Sequence, residues 1–186
     1  LIDKLSPLFI GVSLMSVEYD RAKQLTTIIK SHYPSLPIIW GGIHPTIAPE
    51  TCVDYADFTC IGEGENFILD FANAIAAKSN MENLKGLAFR KNGHIIQNQP
   101  YPLINDLSSL PACEHIPKDS YVLHKGKLIN LNKKSFIKYA RYAGTTYSIM
   151  SSRGCPFNCT YCCNNALTKI YNSRKTRFKE DTDVIN

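Results

Sequence analysis

At 186 residues, with 44% hydrophobic and 20% charged residues, the chain can build one domain and part of another, and its composition is ordinary for a globular protein. No apolar run approaches the roughly 20 residues a bilayer crossing needs, and the opening Leu1-Ile2-Asp3-Lys4 lacks the layout of a secretion signal, so a cytoplasmic location is expected. The net charge of +5 is mild and concentrated late, at Lys169, Arg174, Lys175, Arg177 and Lys179; with no interleaved aromatic platforms it reads as a solvated face, and nucleic-acid binding is not expected.

Residues 8–15 form a nearly continuous apolar run, which predicts a strand buried on both faces of a parallel sheet. The period then changes: Ala22, Leu25, Ile28 and Ile29 share one helical stripe, while Lys23, Gln24 and Thr27 face away. Pro34 and Pro37 break that helix, and residues 38–40 give a second short strand ending at Gly41-Gly42. Residues 57–61 are a third candidate strand, followed by Gly62-Glu63-Gly64-Glu65 and a helix from about residue 66 to 78. Strands alternating with helices predict an α/β fold, a Rossmann-like doubly wound parallel sheet. Residues 87–90 and 94–97 flank Asn92-Gly93, a favoured hairpin turn pair, and predict an antiparallel appendage. Pro100, Pro102, Pro111 and Pro117 punctuate a stretch of low periodicity that reads as a linker. A new domain is expected near Thr145, with residues 147–151 as its first strand. The resulting division is 1–104, 105–143 and 144–186. The chain opens just before a strand and closes on what reads as a helix just begun, so truncation at both ends is expected.

Four of the seven cysteines lie between Cys155 and Cys163, a clustering that favours metal in a reducing compartment over disulfides. Cys155, Cys159 and Cys162 have the spacing Cys-x-x-x-Cys-x-x-Cys. Thiolates suit soft iron–sulfur centres, and one loop with such close spacing can wrap several corners of a cubane cluster. Three ligands leave one iron open, where the amino and carboxylate groups of a small molecule could chelate. Structural zinc is the competing reading, but it normally takes four protein ligands, often as two separated pairs. Cys163 is a poor fourth ligand because neighbouring residues in an extended loop point in different directions.

The segment Ser152-Arg153-Gly154-Cys155-Pro156-Phe157-Asn158-Cys159-Thr160-Tyr161-Cys162 resembles the signature loop of the radical S-adenosylmethionine (SAM) superfamily, which follows the first strand of a full or partial (β/α) barrel. The resemblance implies that Cys155, Cys159 and Cys162 ligate a 4Fe-4S cluster, that Tyr161 packs beside the adenine of SAM, and that electron transfer cleaves SAM to methionine and a 5′-deoxyadenosyl radical. The preceding α/β unit resembles the cobalamin-binding domain of one radical SAM class, in which one strand ends in Ser-x-Leu and a later one in Gly-Gly. Ser13-Leu14-Met15, with Met15 in place of the leucine, and Gly41-Gly42 match that pattern. Residues 41–46 and 61–65 also resemble loops of this class, so Ser13, Gly41, Gly42, His44, Thr46 and Glu63 are the candidate cobalamin contacts. No Asp-x-His-x-x-Gly motif occurs, and no protein ligand to cobalt is assigned.

The implied activity is cobalamin-dependent methyl transfer, or related radical chemistry such as cyclisation, at an unactivated carbon of a small molecule. An electron donor such as flavodoxin or ferredoxin would serve it, and these 186 residues alone are expected to be inactive. Two alternatives stand beside it: a methylthiotransferase-like enzyme with a second cluster on Cys52, Cys60 and Cys113, and a non-catalytic cobalamin- or metal-binding module.

Overall fold

The computed structural model describes residues 1–111, 116, 118–139, 145 and 149–181. They fall into two compact units, one built from residues 1–104 with 155–174 and the other from residues 105–154 with 175–186.

The first unit runs α1 (Ile2–Leu5), β1 (Ile10–Ser13), α2 (Tyr19–His32), β2 (Ile38–Gly41), α3 (Ile43–Ile47), β3 (Phe58–Cys60), α4 (Gly64–Ala76), β4 (Leu87–Lys91) and β5 (His94–Gln97). One sheet carries all five strands in the order β1-β2-β3-β4-β5. β1 and β2 are parallel, with Ile10 opposite Ile38 and Ser13 opposite Gly41, and β3 continues the parallel run. β4 turns back antiparallel on β3 and β5 on β4. The hairpin at Asn92-Gly93 forms with both turn residues at positive φ, as a tight two-residue turn requires. The antiparallel pair extends the main sheet beyond β3.

Side-chain alternation along β2 divides the core between the two faces of the sheet. Ile38 and Trp40 pack with Leu14, Ala22, Cys52 and Ala56, the α2 side. Ile39 turns the other way and joins Cys60, Phe67, Phe71, Leu87 and Phe89, the α4 side. Two expectations fail here. Residues 8–15 do not make a strand buried on both faces: β1 is shorter and lies at the sheet edge with one neighbour, and Leu8 and Met15 on either side of it are exposed. Helix α2 is also rotated from its apolar stripe, burying Ala22 and Thr26 while Leu25 and Ile28 are exposed. Trp40 explains the rotation, because its buried indole Nε1 donates to Thr26 Oγ1 at 2.9 Å and would otherwise lack an acceptor.

In the second unit the stretch read as linker holds a hairpin, β6 (Tyr121–His124) with β7 (Lys127–Asn130), and helix α5 (Lys133–Tyr139). Of the barrel strand expected at residues 147–151, Tyr147 and Ser148 lie outside the described residues, and 149–151 join no strand. The strand that leads into the cysteines is β8 (Ser152–Arg153), paired antiparallel with β9 (Arg177–Phe178). Segment 155–174 belongs to the first unit and contains α6 (Asn164–Tyr171). Among the described residues no helix is long and apolar enough to cross a membrane.

Candidate functional site

The carboxyl ends of β1, β2 and β3 frame a cavity of about 460 Å3, where open α/β sheets place ligands. Five glycines line it: Gly11 within β1, Gly41 and Gly42 at the end of β2, and Gly62 and Gly64 after β3. Ser13 and Glu65 supply polar groups, while Ile39, Cys60, Phe67 and Ile68 make the rest of the wall apolar. Each glycine does a different job. A Cβ at Gly11 would meet no atom within 4 Å, so a side chain there would project into open space. Gly42 has φ +95, and its Cβ would lie 2.9 Å from the Leu14 carbonyl oxygen, so this glycine lets two backbone segments close one wall. The Cys60 thiol is pushed up to about 12 by burial, with the nearby Glu65 carboxylate adding to the shift. It therefore stays protonated and acts as a small apolar wall group.

Of the six residues named from sequence, Ser13, Gly41 and Gly42 line the cavity, and His44, Thr46 and Glu63 are not among its lining residues. His44 spends both ring nitrogens on protein side chains, Ser16 Oγ after β1 at 3.0 Å and Thr51 Oγ1 after α3 at 3.1 Å. The Thr51 hydroxyl donates to the Ala48 carbonyl, so the bonding network assigns the imidazole proton to Nε2 and leaves Nδ1 to accept from Ser16. Thr46 Oγ1 donates to the Gly42 carbonyl at 2.7 Å and accepts the Gly62 amide at 3.1 Å, which ties the loop after β2 to the loop after β3. The Glu63 carboxylate accepts the Ile104 amide at 2.9 Å. Gly62, Gly64 and Glu65 fall in the 61–65 loop singled out from sequence, where only Glu63 was named as a contact, and Gly11 was missed, although a glycine inside a strand signals close approach of a ligand or another backbone.

The cysteine loop is held by contacts that its spacing does not reveal. The Cys162 amide donates to the Cys159 carbonyl at 3.1 Å, and Asn165 Nδ2 donates to the same oxygen at 2.5 Å. Arg174 donates to Asn158 Oδ1 at 3.2 Å and so closes the loop onto the end of α6. Just before Cys155, Gly154 has φ +95, and a Cβ there would come within 2.4 Å of the Lys175 carbonyl oxygen. Cys159 is exposed, Cys155 and Cys162 are half-buried, and Tyr161 is 91% exposed. Burial, with Cys162 beside it, pushes the Cys163 thiol up. Among the described residues no three potential ligand side chains are gathered as a metal site. Of the cysteines named for a second cluster, Cys52 and Cys60 pack on opposite faces of the sheet, and Cys113 lies outside the described residues.

Residues 1–72 match the B12 binding domain family. Every residue lining the cavity falls inside that stretch. The chain is 30% identical over 160 residues to an anaerobic magnesium-protoporphyrin IX monomethyl ester cyclase of Synechocystis sp., covering 83% of this chain and 28% of the relative. It is 25% identical over 170 residues to an uncharacterised methyltransferase of Pyrococcus horikoshii, covering 87% of this chain and 32% of the relative. Residues 1–72 thus carry the match to a B12 binding domain, and over most of its length the chain is similar to a cyclase and a methyltransferase. Two solved radical SAM enzymes share its fold. OxsB, a cobalamin-dependent SAM radical enzyme solved with aqua-cobalamin and SAM, superposes with TM-score 0.70 at 19% identity over 98% of this chain and 23% of its own. The radical SAM methyltransferase TsrM from Kitasatospora setae superposes with TM-score 0.65 at 16% identity over 96% of this chain and 33% of its own. The chain thus spans about a third or less of the length of each of these proteins.

Proposed function

We propose that the chain binds cobalamin at the glycine-lined cavity and a 4Fe-4S cluster at Cys155, Cys159 and Cys162, as part of an enzyme that methylates or otherwise remodels an unactivated carbon of a small molecule. The observation that carries this reading is the cavity itself, whose lining falls wholly within the matched B12 binding domain. Its volume suits one arm of a large ligand. The bulk of a corrinoid would then lie across the strand ends beside Gly11, where even an added Cβ meets no atom within 4 Å.

When bound, the reduced cluster would supply the electron that breaks the SAM C5′–S bond into methionine and a 5′-deoxyadenosyl radical, and cobalamin would supply methyl-carrying capacity. The chain's own residues then have separate tasks. Cys60, Ile39, Phe67 and Ile68 keep water from the buried arm, and Ser13 and Glu65 offer the polar groups that orient it. Cys155, Cys159 and Cys162 would hold the cluster through three thiolates, and the exposed Tyr161 ring would be available to cover the adenine of SAM. Division of labour at residues 105–143 and 144–186 follows the same reading, with the first as connector and the second opening the barrel.

Gly11→Val tests the cavity more cleanly than a substitution at Gly42, where positive φ would mix backbone strain with steric exclusion. Valine suits a strand and its Cβ meets no atom within 4 Å at Gly11, so the fold should persist while cobalamin affinity falls at least tenfold, about 1.4 kcal/mol. Unchanged affinity by calorimetry would remove cobalamin from this cavity. On the cluster, anaerobic reconstitution should give four irons per chain, lost in Cys155→Ala, Cys159→Ala or Cys162→Ala and retained in Cys163→Ala.

A further inference from the structure

The loop after β3 is held from three sides, and one of its anchors lies on the helix that leaves the cysteine loop. The Glu63 amide donates to Tyr171 Oη at 2.8 Å. The same hydroxyl is pressed against Gly62, where a Cβ would lie 2.0 Å from it, and Gly62 has φ +94. Tyr171 ends α6, which begins at Asn164, two residues beyond Cys162. At the other end of that helix Asn165 holds the Cys159 carbonyl, and the Ala166 and Leu167 amides bond the Cys163 carbonyl. One short helix therefore has its first turn fixed to the cysteine loop and its last residue fixed to the cavity wall. From Gly62 the connection continues through Thr46 to Gly42 on the opposite wall.

We propose that Tyr171 is a positioning residue that couples the cluster loop to the cobalamin cavity, an inference that rests on the cofactor reading above. A shift of the cysteine loop on taking up its cluster moves α6 as a unit. Its terminal hydroxyl then carries the Glu63 amide and the Gly62 backbone with it, changing the width of the cavity mouth. Because coupling between sites is reciprocal, filling the cavity must bias the cluster loop by the same factor. Gly62 is the matching half of the device, since any side chain there would occupy the place of the hydroxyl.

The test compares hydroxocobalamin affinity, by anaerobic absorbance titration of the full-length protein, with and without the reconstituted cluster. Wild type should bind about fivefold or more tightly with the cluster in place, the scale of ordinary allosteric coupling. Tyr171→Phe keeps the ring but removes the acceptor for Glu63, and it should retain iron and cobalamin binding measured separately while the ratio falls toward one. A wild-type ratio of one, or a Tyr171→Phe ratio equal to wild type, overturns the coupling and leaves the cofactor reading standing. Loss of both cofactors in Tyr171→Phe would make Tyr171 a general structural residue and overturn the proposal as well. If wild type takes up no cobalamin or no iron at all, the cofactor reading falls and takes the inference with it.

Discussion

Cys60 is a thiol whose protonation is tied to the folded state. Burial first, and then Glu65, raises it from 9.0 to about 12, so the folded protein holds a proton that the unfolded chain releases near its ordinary value. Tyr101 behaves alike, raised from 10.0 to about 12 by burial and then by its hydrogen bond to Asp70. Both groups bind protons more tightly when folded, so their stabilisation is complete below about pH 9 and drains away as pH rises toward 12. Urea unfolding from pH 8 to 12 should show stability falling across that window, with Cys60 accounting for on the order of a few kcal/mol, and Cys60→Ala should flatten part of the decline. A profile unchanged by Cys60→Ala would show that the thiol titrates normally. Thr26 poses the converse case, a polar side chain at a core position. Thr26→Val keeps the shape but strands the Trp40 indole N–H, and should cost about 1–3 kcal/mol in the same unfolding assay.

Among the elements, the β8–β9 ribbon launches the cysteine loop, and Gly154 lets its strands approach. Alanine there meets both an unfavourable φ of +95 and the Lys175 carbonyl at 2.4 Å. Gly154→Ala should therefore cut iron incorporation severalfold although residue 154 offers no ligand, and iron and sulfide quantification after anaerobic reconstitution checks it. Full incorporation would mean that the ribbon does not set the loop. What the sequence disclosed follows the same physics. Ile38, Ile39 and Trp40 announced β2 because a central parallel strand is apolar on both faces, and Asn92-Gly93 announced the β4–β5 turn because its residues tolerate positive φ. The β6–β7 hairpin went unread because Lys125-Gly126 is a weaker turn signal in a stretch of low periodicity, yet both residues take positive φ there. The proposed cluster ligands could be named from sequence because their chemistry is written in side chains, at Cys155, Cys159 and Cys162. The site was opaque where the requirement is empty space at Gly11, or a contact between Tyr171 and Glu63 that is 108 positions apart in the chain.

For the molecule as a whole, the question is how much radical chemistry this length of chain can support. Cys159, Phe157 and Tyr161 are exposed, with Phe157 at 70%, so SAM chelated at the open iron would have an aromatic neighbour on one side and solvent around most of its surface. Orientation of reacting groups contributes several kcal/mol to barrier lowering, and exclusion of water prevents a reactive radical from being quenched before it meets substrate. Neither is available to a loop whose aromatic side chains stand in solvent. The 186-residue chain, reconstituted with its cluster and given SAM and a strong reductant, is therefore expected to release 5′-deoxyadenosine slowly, at least tenfold below the gene product purified at its natural length. Adding cobalamin should leave the short chain's rate nearly unchanged, because a cavity filled beside an open loop still provides no cover for SAM. Chromatographic quantification of 5′-deoxyadenosine decides between the outcomes. Equal rates from the two chains would show that the exposed loop is sufficient for cleavage, and no product from either would remove SAM cleavage from the proposed function while leaving the cobalamin cavity to be judged by Gly11→Val.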